Sequence, residues 1–159
     1  MSLSSPEPIA IKGARLSFGI VAARYNAGLV EALLRSVTAG LRDAGVKEKR
    51  IEVIRVPGSH EVPVAAQWLA RKNKCDCVIA LGVLIGGDTK HHEMVGQSVS
   101  HALQQVSLAT GTPVINGVIV ADTLKQAQAR CLGPINRGAE FARAALEMAA
   151  LNRAVGGKS

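Results

Sequence analysis

The sequence is poor in aromatic residues, in cysteine and in acids. One Trp, one Tyr and two Phe make up 3% of its 159 residues. So few rings leave little to stack on the bases of a single strand. Cys75, Cys77 and Cys131 are an odd set that cannot all pair within one chain. The C-x-C at 75–77 falls at a strand entry, where alternate residues share a face. No histidine stands at finger spacing from it, so a zinc site is not expected. The expectation is reduced thiols used as small apolar side chains in a cytoplasmic protein. No apolar run reaches the roughly 18–20 residues that span a bilayer, so no membrane partner is expected. The opening MSLSSPEPIAIKG lacks the apolar core and cleavage site of a signal peptide. Residues 1–12 read as a disordered or tag-derived segment and 13–159 as a single domain. There is no internal repeat and no long linker.

Acids number 12 against 19 Lys and Arg, giving a net charge of +7 and a pI near 9.8. The cations are scattered: Lys12, Arg15, Arg24, Arg35 and Arg42, then KEKR at 47–50 and RKNK at 71–74. A solvated surface and a small anionic substrate suit that dispersal better than DNA or RNA, so no nucleic-acid partner is expected.

What the chain does have is 48% hydrophobic residues in alternating patterns. Short β-rich runs stand at 16–23, 51–56, 77–85 and 112–120. Between them lie helical periodicities. Leu29, Leu33, Val37 and Leu41 recur every fourth position over 26–45, with Asn26 a candidate N-cap and Gly45 a stop. Residues 61–72 form a second helix, with Pro63 tolerable only in its first turn. Val95, Val99, Ala102 and Val106 mark a third, from Lys90 or His91 to about 109. A short helix at 121–130 has Asp122 or Thr123 as its N-cap, and a terminal helix covers 136–151. The order β-α-β-α-β-α-β-α-α predicts a three-layer α/β/α, flavodoxin-like fold, a four-stranded parallel sheet with helices on both faces.

Ligands of such sheets bind beyond the carboxyl ends of the strands. There the sequence places Arg24, Tyr25 and Asn26, then Pro57 to Glu61, then Gly86 to His92, then Ala121 to Thr123. Gly86 and Gly87 let backbone N–H groups approach a ligand, and the helix start that follows suits a phosphate. This is no Walker A loop, because Asp88 stands where lysine is required. Asp88 fits a phosphate turn only if its carboxylate turns aside to cap the helix. His91 and His92 point about 100° apart, so one is expected to face the pocket and the other to pack or meet a neighbour. Tyr25 reads either as packing or as a stacking surface. Glu61 reads as a dipole-complementing acid or as a ligand acceptor. His60 and His101 read as structural, and Arg130 as a surface charge at a helix end.

The motifs ARYN, VPGSHEVP, ALGVLIGGDTKHHEMV, PVINGVIVADTLKQAQAR and NRGAEFARAALEM, in that order, resemble the lumazine synthase family over about residues 13–151. The resemblance implies condensation of 5-amino-6-(D-ribitylamino)uracil with 3,4-dihydroxy-2-butanone 4-phosphate to 6,7-dimethyl-8-ribityllumazine, phosphate and water. It implies no metal or organic cofactor. It puts the stacking aromatic on Tyr25, and ribityl and pyrimidine contacts on Ser59, His60, Glu61, Val83, Leu84 and Ile85. It puts phosphate contacts on Asp88, Thr89 and Arg130, and the catalytic histidine on His91. It implies a homopentamer with active sites between subunits, the neighbour supplying Asn116 and Arg130.

The chain departs from the family's usual residues at several positions. His60 stands for an aromatic, Gly86 for a basic residue, Asp88 for a small one and Asn116 for a phenylalanine. The segment CLGPIN is shorter than the usual Gly- and Lys-rich loop, which favours a pentamer or a pair of pentamers over a sixty-subunit shell. The alternative reading is a lumazine- or flavin-binding homologue with little catalysis. A flavodoxin-like electron carrier is a weaker third.

Overall fold

The structure, a computed structural model, describes residues 4–156. Residues 1–3 of the N-terminal segment and 157–159 of the domain lie outside the described residues. The elements are β1 (Phe18–Ala23), α1 (Ala27–Asp43), β2 (Ile51–Val56), α2 (Val62–Arg71), β3 (Cys77–Ile85), α3 (His91–Thr110), β4 (Val114–Ala121), α4 (Leu124–Leu132) and α5 (Arg137–Val155). All nine occur in the predicted order. Two short 3-10 turns, Glu48–Arg50 and Ser59–Glu61, were not predicted; three residues are too few to show a period.

The four strands form one parallel sheet in the order β2-β1-β3-β4. Every residue of β1 is buried, because helices cover both faces. On one face Phe18, Ile20, Ile79 and Leu81 meet Val30, Leu33, Val37 and Leu41 of α1, Ala127 of α4 and Phe141, Ala145 and Ala149 of α5. On the other, Val21, Val78 and Ala80 meet Ala65, Ala66 and Leu69 of α2 and Val95, Val99 and Leu103 of α3. The fold is thus three-layer α/β/α, as expected.

The cysteine pair corrects the sequence reading. Cys77 packs with the α1 and α5 layer, whereas Cys75 packs with the α2 and α3 layer. Cys75 lies ahead of the first strand residue, so strand alternation does not govern it. All three cysteines are buried and none is in a disulfide. Asn26 holds the N-cap position of α1, as expected, in left-handed conformation, φ 56°, though its side chain makes no capping bond. Its Nδ2 instead donates to the Val83 carbonyl at 2.8 Å. Pro63 does sit in the first turn of α2. Thr123, not Asp122, caps α4, accepting from the Gln126 N–H at 3.2 Å.

The register puts a step in the carboxyl edge of the sheet. β1 pairs with β3 only as far as Ala22 against Leu81, while β3 and β4 continue together to Ile85 against Ala121. The last three residues of β3 therefore overhang β1 at the switch in strand order, where such sheets bind ligands.

Candidate active site

A cavity of about 510 Å³ lies on that step. From the end of β1 it takes Tyr25 and Asn26, and from the turn after β2 it takes Gly58, Ser59, His60 and Glu61. β3 and its turn supply Val83, Leu84, Ile85, Gly87 and Thr89, and α3 supplies His91, His92 and Val95. Backbone groups of residues two apart in a strand point the same way. Since the Val83 carbonyl meets Asn26, the amide and carbonyl of Ile85 also face the β1 side, beyond the reach of β1.

The turn after β2 is held by its own acid. Oε2 of Glu61 accepts from the Gly58 N–H at 2.9 Å, and a side chain at Gly58 would press on the Tyr25 ring at 3.2 Å. Tyr25 is 73% exposed and free to offer a face. His60 is an exposed lining residue, not a structural one, and Nδ1 lies 4.0 Å from Oε1 of Glu61. Ser59 is buried, and its Oγ has no hydrogen-bond partner among the described residues. Gly82 makes room for that hydroxyl, since a Cβ there would overlap it.

The turn after β3 is as tight. The Gly86 N–H donates to the Ala121 carbonyl at 2.8 Å, and a Cβ on Gly86 would stand 2.5 Å from the Asp122 carbonyl oxygen. That close approach accounts for glycine here. Thr89 lines the cavity; Asp88 is exposed and does not. Asp88 is not the helix cap either: Lys90 holds that position and makes no side-chain capping bond.

His91 opens α3 as an exposed side chain, and His92 is buried one step on. Both border the cavity, where only one was expected to. Asn116 and Arg130 lie elsewhere. Oδ1 of Asn116 accepts from the Val118 N–H at 3.1 Å, and the residue lines a separate hollow with Gln97, Ser100, Gln104 and His101. His101 is exposed there, again not structural. Arg130, in the last turn of α4, donates to the Gln126 carbonyl at 3.1 Å.

The sequence model of the family described as 6,7-dimethyl-8-ribityllumazine synthase matches residues 15–153. The chain belongs to that family. A 6,7-dimethyl-8-ribityllumazine synthase of Paracidovorax citrulli (strain AAC00-1) is 43% identical over 141 residues, 89% of this chain and 90% of the relative. One from Xylella fastidiosa (strain M12) is 41% identical over 140 residues, covering 87% and 90%. One from Xanthomonas oryzae pv. oryzae (strain PXO99A) is 42% identical over 132 residues, covering 82% and 86%.

Within the lumazine synthase family fold, three residues at this site were missed or misjudged from sequence. Asn26 was read as a cap, His92 as one of two alternatives, and Asp122 as a second candidate cap. All three stand just past a strand end, which put them on the rim, but nothing local showed that the Asp122 carboxylate lies 3.3 Å from Nε2 of His92.

Proposed function

We propose that this chain condenses 5-amino-6-(D-ribitylamino)uracil with 3,4-dihydroxy-2-butanone 4-phosphate to 6,7-dimethyl-8-ribityllumazine, releasing phosphate and water. This is the penultimate step of riboflavin biosynthesis. The observation that carries the reading is one cavity, at the strand-order switch, that gathers Tyr25, Ser59, Glu61, Thr89 and His91 in a chain of this family. Residues 13–159 are taken as the single domain that performs it.

The uracil stacks on Tyr25. Its polar edge meets the backbone of Val83, Leu84 and Ile85, and its ribityl chain meets Ser59, His60 and Glu61. The phosphate lies on the turn at Thr89, with the Asp88 carboxylate outside the cavity lining, at the N-terminus of α3 where unpaired N–H groups point outward. The amine attacks the ketone carbon and water leaves to give an imine. Elimination then breaks the C–O bond to phosphate and leaves an enol that becomes a ketone. The second amine attacks that carbonyl, and loss of a second water completes the ring. Each step relocates a proton, and the imidazole of His91, exposed at the cavity, can take one and return it. Holding two reactants in register supplies much of the remaining acceleration.

Asn116 and Arg130 do not line the cavity of their own chain, which supports a homopentamer, or a decamer of two, in which they complete a neighbour's site. Arg130 would then add charge-assisted hydrogen bonds to the phosphate. The exposed apolar residues Trp68, Met94 and Leu108 offer surface to bury between copies. A cytoplasmic location accords with three buried thiols and no disulfide among them. Among the described residues no helix is long and apolar enough to cross a membrane.

Steady-state turnover with both substrates tests the reading. Product should form well above the spontaneous rate, and His91→Ala should slow it by about 10- to 100-fold. Product appearing only at the spontaneous rate would reduce the chain to a binder, and a His91→Ala variant at full speed would remove the histidine's role.

A further inference from the structure

We propose that His92 is a second substrate-binding imidazole, held in place by Asp122, whose Nδ1 accepts a hydrogen bond from a hydroxyl or N–H of the ribitylaminouracil. The inference rests on the reading of the cavity as a lumazine synthase site. The His92 side chain is 9% exposed and forms part of the cavity wall. Nε2 lies 3.3 Å from Oδ1 of Asp122, while Nδ1 is buried with no partner among the described residues. A carboxylate can only accept, so in the neutral ring Nε2 carries the proton and Nδ1 is left as a bare acceptor. An orphaned buried acceptor costs about 1–3 kcal/mol, a cost a bound ligand removes.

Asp122 is placed for this task. Its N–H donates to Oε1 of Gln126 at 2.8 Å, and its carbonyl closes over Gly86. One residue therefore links the turn after β3, the start of α3 and the start of α4. The charge pattern selects the substrate. A bare lone pair repels phosphate but suits the donor-rich uracil and its polyol chain. Ser59, with its own unpartnered Oγ on the same wall, is the natural companion.

Two rival roles for the pair make different predictions. It could merely pin α3 to β4 through Nε2. It could also hold a divalent cation, since His92, Glu93 and Asp122 present ligand atoms within 4.8 Å of one another. A cation on Nε2 would put an N–H on Nδ1 and leave that donor buried and unpaired, against the usual pattern at metal-bound histidines.

Three variants of the whole protein separate these roles. His92→Asn keeps a polar atom where Nδ1 stands, His92→Gln keeps one where Nε2 stands, and His92→Leu keeps neither. Each is assayed for KM of both substrates and for calorimetric affinity for the product, after its melting temperature shows that it folds. Leu and Gln should each raise the KM for ribitylaminouracil and the product Kd about tenfold, the order of one hydrogen bond. Asn should restore both to within about threefold, with KM for the butanone phosphate unmoved throughout. Rescue by Gln and not by Asn would show a structural pin and overturn the inference, as would three variants indistinguishable from wild type. One-to-one zinc binding by the wild type, lost in Asp122→Asn, would also overturn it. A wild type that binds product with this pattern but turns nothing over would sink the synthase reading and leave the inference standing. Turnover without the pattern would do the reverse.

Discussion

The two ends of the sheet treat buried polar groups in opposite ways. At the amino end Asp76, 5% exposed, is fully engaged. Its carboxylate accepts from the Ser17 N–H at 2.7 Å and from Nε and Nη2 of Arg153 at 2.9 and 3.2 Å. Its carbonyl accepts from Asn152 at 3.1 Å. This network ties β1, the entry to β3 and α5 together. At the carboxyl end Ser59 Oγ and His92 Nδ1 are buried and unpartnered among the described residues. Paired polar groups hold the fold, and unpaired ones in a cavity mark where a ligand is read.

The largest effect should come from the paired end. Asp76→Ala removes the buried partner of a part-exposed Arg153 and strands the Ser17 N–H, so it should cost about 2–3 kcal/mol in a denaturant melt. Product affinity of the molecules that remain folded should not change. A parallel loss of affinity would show that the two ends are coupled and would break the comparison.

A smaller effect of opposite sign is expected at the carboxyl end. Ser59→Ala removes a hydroxyl with nothing to bond to in the unliganded protein. Stability should hold or rise by up to about 1 kcal/mol, while product binding weakens. A clear loss of stability would mean that the hydroxyl supports the fold after all.

The smallest effect belongs to neither end. Burial pushes the Cys131 thiol up from 9.0 to about 11, with Arg130 acting weakly the other way. Burial raises Cys77 further still. An unfolded chain gives up these protons from about pH 9, before the folded one does, so stability should fall as pH rises from there. Melting temperatures at intervals from pH 8 to 11 check this. The slope should be shallower in Cys131→Ala; an unchanged slope would place the titration elsewhere.

The order of elements was legible because each helix and strand declares its period locally. The boundaries of β2 and β3 were read to the residue, since an apolar run ends there on turn residues. The convergence of Tyr25, Ser59, Glu61, Thr89 and His91 on one rim followed from topology alone. What the sequence hid were contacts between distant residues and details of facing. Asn26 meets a carbonyl 57 positions away, and left-handed backbone is open to asparagine without any local announcement. His60 and His101 carry no pattern that tells an exposed ring from a packed one. His92 is buried because α3 turns that side of its first turn towards β4, which no spacing reveals. Cys75 and Cys77 were placed on one face by a strand rule that applies only from Cys77 onward.

A crystal structure of the assembled protein with 6,7-dimethyl-8-ribityllumazine bound tests the central claim most directly. The heterocycle should lie on Tyr25 along the overhanging end of β3, with the ribityl chain bonded to the Ser59 hydroxyl. A product seated elsewhere, or one in the cavity that leaves Ser59 Oγ and His92 Nδ1 both unbonded, would contradict the account.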